Sequence, residues 1–489
     1  MKLGSIIDAL LKYVPSIKKP SEPLSFRQKL KWTAAIMVIY FFMFSTPAFG
    51  VSVSTISQPF IQILNVIFAA RMGSLITVGI SPIVLSSIVL QLIMGAGILK
   101  VDLNDPEQKG RFQGIQKLSA ITIAIIEGYL FAHGVVPGVQ PSFVNFVALQ
   151  FMVGAVFIIF MDEAMTKFGI TSGINLFIAG GVAYSIVAGT STILLNEAVQ
   201  AIAAGGATAI PNAILVFGPL FFSTLVLLVS IYVYDIKVEI PLVFSQLRGV
   251  GGRLPIPFLY VSVLPVILAT SLESSLALWL RPLAGVSGQW ANLVKFFALY
   301  QTQAATAGSQ LQLTGGLIYL ISPTFPSVYS ATYGGIGGYG PYFSFLFSTG
   351  VSQLYLPWGG AVAIPEVVHV IVYILALAAL SVVFDKFWIE MTGQSPKHVA
   401  EQLQDVGWQV PGFRRDPRIV ESILNKYIPT ITVLGSIFVG LLAALATLTG
   451  AVGTGMGILL TVGIMYMVYQ QLQQEHAFET YPELNKLLS

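Results

Sequence analysis

The chain contains no cysteine, which excludes disulfides, thiolate metal sites and cysteine nucleophiles. Charge is nearly as scarce. Charged residues make up 10% of the 489 and hydrophobic residues 55%, whereas soluble domains carry about 25% charged residues. That balance excludes an ordinary soluble domain and points to a polytopic membrane protein. Enzyme signatures are missing too. GGIGGYG at 334–340 lacks the Lys-Ser/Thr that follows a phosphate-binding loop. No His/Asp constellation lies at membrane depth to activate a serine, so no catalysis and no cofactor are expected. Glu366-Val-Val-His369 has the Glu-x-x-His spacing of a di-metal helix, but the second such motif that chemistry needs is absent. The pair is read as an interfacial helix start, with no metal expected.

Long apolar runs are what the chain does have. Ten stretches read as spanning helices, at about 32–50, 76–99, 115–134, 143–161, 173–195, 212–234, 258–280, 363–385, 427–448 and 455–472. The first 30 residues are amphipathic and lysine-rich without a clean apolar core, so no cleavable signal is expected. Threaded with the N-terminus in the cytosol, all of the 25 Lys and Arg residues except Arg71, Arg281 and Lys295 fall on the cytosolic side. The positive-inside rule therefore predicts cytosolic termini. Five spans precede the connection at 196–211 and five follow it. An odd number per half turns the second half over, the pattern of inverted repeats with a site at their interface.

Ser57 to Leu99 is the most informative stretch. An apolar run of about a dozen residues, ending near Arg71 and Gly73, precedes one of spanning length. A half-length element persists at membrane depth only where protein or water satisfies its ends, which predicts an interior cavity. Glu127, Glu273 and Glu366 lie inside spans, with Lys117 and Asp385 near span ends. Buried carboxylates of this kind serve ion relays or interhelical hydrogen bonds. A channel and an ion-coupled secondary transporter of a small solute both remain open on these residues alone.

Five motifs close that gap. GSLITVGISPIVLSSIVLQLIMGAGIL, RGVGGRLPIPFLYVSVLPVIL at 248–268, FWIEMTGQSPKHVAEQL at 387–403, VPGFRRDPR at 410–418 and GTGMGILLTVGIMY at 453–466 resemble SecY. SecY is the channel-forming alpha subunit of the Sec protein translocon, and the likeness is to its archaeal form. The resemblance implies an all-α polytopic membrane protein with ten transmembrane helices in two inverted five-helix halves around a central hourglass pore. The halves would be 1–195 and 212–489, joined by an external hinge at 196–211, with a plug at about 57–72. Carried over by local motif, the pore ring falls on Ile80, Val84, Ile174, Ile178, Ile267 and Leu460, with Leu459 the alternative register for the last. Ile80 and Val84, like Ile174 and Ile178, are four apart and so share a helix face. A ring of branched aliphatics resists ions by dewetting. The plug would carry Ile61, Leu64, Ile67, Phe68 and Arg71.

The resemblance also implies a lateral gate, helices two and three against seven and eight, lined here by Glu127, Gln91 and Ser275. Leu85 stands where the family commonly has Thr or Ser. A signal sequence would open that gate and displace the plug, so that secretory chains cross the cytoplasmic membrane and membrane proteins leave sideways into lipid. The cytosolic loops 235–257 and 386–426 carry Arg248, Arg253, Arg414 and Arg415, basic residues suited to ribosomal phosphates. Implied partners are SecE-type and small beta-type subunits, the ribosome, signal peptides with their nascent chains, and membrane lipids. The external insertion at 281–362 is long, and its apolar runs, such as LTGGLIYLI, are too short to span.

Overall fold

In lipid an apolar run must satisfy its own backbone hydrogen bonds, so each such run becomes a helix. The computed structural model describes residues 15–18, 20, 24–52, 64–95, 106–136, 138–203, 214–244, 251–261, 264–285, 287, 290–305, 308–323, 325, 339–348, 352–406, 408–409 and 417–480. Helix α1 (Phe26–Ser45) starts where Gln28 Oε1 accepts the Ser25 N–H at 3.0 Å. It is followed by α2 (Ser81–Gly95) and by α3 (Pro106–Leu130), which continues through a π turn at Phe131–Val135. Next come α4 (Val144–Phe168) and α5 (Gly173–Thr192), the latter extended by Ile193–Glu197 and Ala198–Ala203. Helices α6 (Gly218–Asp235) and α7 (Leu264–Trp279) precede three short ones, α8 (Ala291–Phe297), α9 (Leu317–Ile321) and α10 (Tyr339–Leu346). The chain closes with α11 (Glu366–Thr392), α12 (Pro396–Val406), α13 (Pro417–Leu448) and α14 (Gly455–Thr480).

Among the described residues, six helices are long and apolar enough to cross a membrane: Gln108–Val135, Pro141–Phe168, Gly173–Leu195, Ile214–Asp235, Glu366–Gln404 and Arg418–Leu448. Ser81–Met94 and Gly455–Gln470 are shorter apolar helices. The run expected to span from 76 starts its helix only at Ser81. Gly79 sits at φ +58° with the Phe68 carbonyl oxygen 2.1 Å from where a Cβ would be, so the backbone there is left-handed and closely approached. The run expected from 258 starts its helix at Leu264, after a turn at 258–261, with Pro265 in the first turn where no N–H is needed. Helices of 15 and 16 residues rise about 22–24 Å, less than the ~30 Å hydrocarbon core.

Among the described residues, seven strands form two small sheets: β1 (Lys237–Phe244), β2 (Gly251–Pro257), β3 (Leu299–Ala305), β4 (Gly308–Gly315), β5 (Ser352–Tyr355), β6 (Ala361–Ile364) and β7 (Trp408–Gln409). One sheet runs β2-β1-β7; its antiparallel hairpin pairs Pro241 with Arg253 and rests on α12 and α13 through Ile240, Ile256, Ala400 and Leu424. The other runs β3-β4-β5-β6 and lies wholly between α7 and α11. The main core collects buried apolar residues from α1, the segment 64–80, α2, α4, α5, α7, α11, α13 and α14.

Candidate constriction, inner segment and helix seam

Branched aliphatics from four parts of the chain meet in that core. Ile80 precedes α2, Val84 lies in its first turn, Ile178 comes from α5, Ile267 from α7 and Leu460 from α14; all are buried in one cluster. Leu459 is buried there as well, so both registers of the last helix enter the cluster. Ile174 packs against it while staying partly exposed.

The segment 64–72 threads the same cluster. Residues 64–67 make one helical turn, and Leu64, Ile67 and Phe68 are buried among the aliphatics. Ile61 lies outside the described residues. Polar bonds fix the segment internally and to the chain that follows it. The Ile80 N–H donates to the Phe68 carbonyl at 2.9 Å, and the Met72 N–H donates to Asn65 Oδ1 at 2.9 Å. From α1, the buried Tyr40 hydroxyl donates to the Ala69 carbonyl at 2.7 Å while its ring stacks on Phe177 at 4.7 Å. Gly457 of α14 comes so close that a Cβ would sit 2.9 Å from Val66. Arg71 is half-buried at the margin, its carbonyl accepting the Ser74 N–H and hydroxyl at 3.0 and 2.7 Å. Sequence reasoning missed Tyr40, whose partner lies 29 residues away and follows no periodicity.

Glu127 of α3 organises the seam. Its Oε1 accepts the Ser81 hydroxyl of α2 at 3.0 Å and the Trp279 indole N–H of α7 at 3.2 Å. A second bond crosses nearby, Arg281 Nη1–H to the Val135 carbonyl at 3.0 Å. Burial pulls Arg281 below the usual guanidinium value, and a guanidinium still keeps its charge at any working pH. Helix α2 packs against both α7 and α11. Gln91 and Ser275 are buried, yet Gln91 Oε1 and Ser275 Oγ find no hydrogen-bond partner among the described residues. They are not bonded to Glu127; Ser81 and Trp279 are. Both oxygens of Glu273 are likewise without a described partner.

Glu366 opens α11, the helix start expected of the Glu366–His369 pair, and the pair is covered by protein. Both are fully buried, Glu366 Oε1 lying 2.6 Å from His369 Nδ1 and accepting the Tyr319 hydroxyl at 2.9 Å. His369 Nε2 faces the Ser322 carbonyl at 3.0 Å, and its ring stacks on Phe325 at 4.5 Å. The pair thus fastens the segment around α9 onto the start of α11. Asp385 is bonded to the Ser436 hydroxyl, joining α11 to α13. No group of three His, Asp or Glu side chains suited to a metal occurs among the described residues. On the β1–β2 hairpin Arg253 is exposed and pairs with Glu239 at 2.6 Å, which raises the guanidinium above its usual value. Arg248, Arg414 and Arg415 lie outside the described residues.

Spanning helices packed around an interior segment too short to span, with a hydrogen-bonded seam beside it, define the class: a polytopic α-helical membrane protein of the channel type. The SecY family model matches residues 74–469. The protein translocase subunit SecY of Methanocaldococcus jannaschii is 34% identical over 491 residues, covering 98% of this chain and 98% of that protein. A solved structure of a protein-conducting channel superposes with TM-score 0.71 at 32% identity, over 97% of this chain and 98% of the other. Sec61 in the canine ribosome–channel complex from the endoplasmic reticulum superposes with TM-score 0.69 at 32% identity, with the same coverage. The chain belongs to the SecY family.

Proposed function

We propose that this chain is the channel-forming subunit of a protein translocon, passing secretory chains across the cytoplasmic membrane and releasing membrane proteins sideways into lipid. The observation that carries the reading is the inner segment. Apolar side chains of 64–70 fill the same cluster as Ile80, Val84, Ile178, Ile267 and Leu460, as a plug seated in a ring of aliphatics would. Such a ring dewets and blocks ions while a chain is absent. Ten spans in two inverted halves, 1–195 and 212–489 hinged at 196–211, place the ring at their interface and both termini in the cytosol.

The lateral gate in this reading is the seam of α2 and α3 against α7 and α11, held by Glu127 with Gln91 and Ser275 nearby. A signal core of about 7–15 apolar residues is too short to anchor well and yet seeks lipid, so it competes with the seam's own contacts. Arg253 on the β1–β2 hairpin, with Arg248, Arg414 and Arg415 of the cytosolic loops 235–257 and 386–426, supplies basic charge for ribosomal phosphates; the likeness to Sec61 in a ribosome complex supports that assignment. SecE-type and beta-type subunits complete the assembly. The transporter alternative needs convergent polar groups at the centre, and the central cluster is aliphatic.

Crosslinking tests the reading. With no native cysteine, single cysteines replacing Leu92 on α2 and Leu272 on α7 report only their own surroundings. A stalled secretory chain is expected to crosslink through its signal to both helices at once. Crosslinks to neither, while the chain still engages the complex, would overturn the gate.

A further inference from the structure

The segment between α7 and α11 has an unusual composition for one that leaves the membrane. Across 281–362 the only charged side chains are Arg281 and Lys295, with no Asp, Glu or His, and fifteen residues are aromatic. A water-facing cap would carry charges of both signs. Arg281 is spent on the Val135 carbonyl, and Lys295 lies over the Tyr355 ring at 5.4 Å.

Three separate elements of this segment turn apolar side chains outward. Trp290, Leu293 and Phe297 follow one another at spacings of three and four along α8 and are all exposed, which puts them on one face. Phe343 and Phe347 do the same along α10, opposite the buried Tyr342. Trp358 sits at the tip of the β5–β6 hairpin, 81% exposed. That tip is structured: the Leu356 N–H donates to the Gly360 carbonyl and the Gly359 N–H to the Leu356 carbonyl, both at 3.0 Å.

What covers these groups follows from where the segment is tied. The chain enters it from α7 and leaves it into α11, and Pro365 alone separates β6 from Glu366. The Glu366–His369–Tyr319 bonds hold it down on that helix start. Exposed apolar side chains continue from Val362 of β6 to Val368, Ile371 and Leu375, which share one face of α11, a helix long and apolar enough to cross a membrane. Tryptophan and other aromatics with few charges are what the headgroup–acyl boundary of a bilayer selects.

We propose that the described parts of 281–362 form a membrane-interface module, seated on the bilayer leaflet beside the seam of α2 and α3 against α7 and α11, with Trp290, Phe347 and Trp358 in the headgroup–acyl boundary. Its partner is the lipid surface. With so little charge of its own, seating depends on apolar and aromatic contact rather than on anionic lipid. The consequence is mechanical: the ends of α7 and α11 are held at a fixed depth while the seam works. The inference adds to the channel reading without depending on it, because depth is measured whether or not the pore conducts.

Trp290→Cys, Phe347→Cys and Trp358→Cys, each nitroxide-labelled in the cysteine-free full chain, are reconstituted in phosphatidylcholine vesicles; Arg253→Cys, 75% exposed on the β1–β2 hairpin, is the water reference. Collision rates with oxygen and with a water-soluble nickel chelate give depth. The expected result is an oxygen-to-nickel ratio several-fold above that of the reference at all three positions. A ratio equal to the reference places the segment in water, and low collision with both reagents places it under protein; either overturns the proposal. Unlabelled Trp358→Phe gives an independent reading. Quenching of tryptophan emission by brominated lipid is expected to fall relative to the parent chain, and unchanged quenching contradicts the seat at Trp358.

Discussion

Trp279→Phe isolates the bond that crosses the seam. It deletes one N–H, keeps a smaller aromatic ring at a half-exposed position, and leaves Glu127 Oε1 still accepting from Ser81 at 3.0 Å. An interhelical hydrogen bond in a membrane protein contributes about 0.6 kcal/mol on average and about 1.7 at most. Glu127 is buried while Trp279 is 37% exposed, so a middle value of about 1 kcal/mol applies to this bond. Lost from the closed seam alone, that raises the open-to-closed ratio about fivefold. A leucine near the centre of an inserting segment is worth about 0.5 kcal/mol, so the signal needed for export shortens by about two leucines. The assay is export of a reporter behind a graded leucine series. Ser81→Ala is the control, because it removes a bond to the same oxygen between α2 and α3, on one side of the seam. An unchanged threshold in Trp279→Phe, or an equal shift in Ser81→Ala, would refute the reasoning.

Tyr40→Phe removes the hydroxyl that holds the Ala69 carbonyl and is expected to cost about 1 kcal/mol of plug seating; single-channel recording in planar bilayers should show leak openings about five times as frequent, and an unchanged leak contradicts the clasp. Gly79→Val forces a β-branched residue into a φ of +58° with the Phe68 carbonyl in its way. It is expected to lower thermal stability in detergent by more than about 2 kcal/mol, combining backbone strain with the lost Phe68–Ile80 packing, and wild-type stability would show that the approach is not tight. Arg253→Glu places like charge beside the exposed Glu239. Ribosome co-sedimentation should weaken and its salt dependence flatten, and full binding at moderate salt would remove Arg253 from the docking surface.

The class of protein was readable because scarce charge and ten apolar runs leave little else. Helix ends were not. The runs from 76 and 258 look continuous in hydropathy, but a left-handed Gly79 under the Phe68 carbonyl and the turn before Pro265 cut the helices back to Ser81 and Leu264. Side-chain partners were invisible for a different reason. Glu127 stands out as a carboxylate in an apolar run, but Trp279 lies 152 residues away and Tyr40 is one aromatic among many on α1; no local period encodes such pairs. Glu366 and His369 read as a helix start, and α11 does begin there, but their partners Tyr319 and Ser322 come from around α9, 47 residues away, which no local spacing announces.

Ion conductance before and after deletion of 64–69 tests the central claim most directly, measured on the chain reconstituted with its partner subunits. The account predicts a tight parent and a conducting deletion variant, because removing Leu64, Ile67 and Phe68 empties the middle of the aliphatic cluster. Equal, near-zero conductance in both, with the variant folded and still engaging signal sequences, would contradict a pore plugged by this segment.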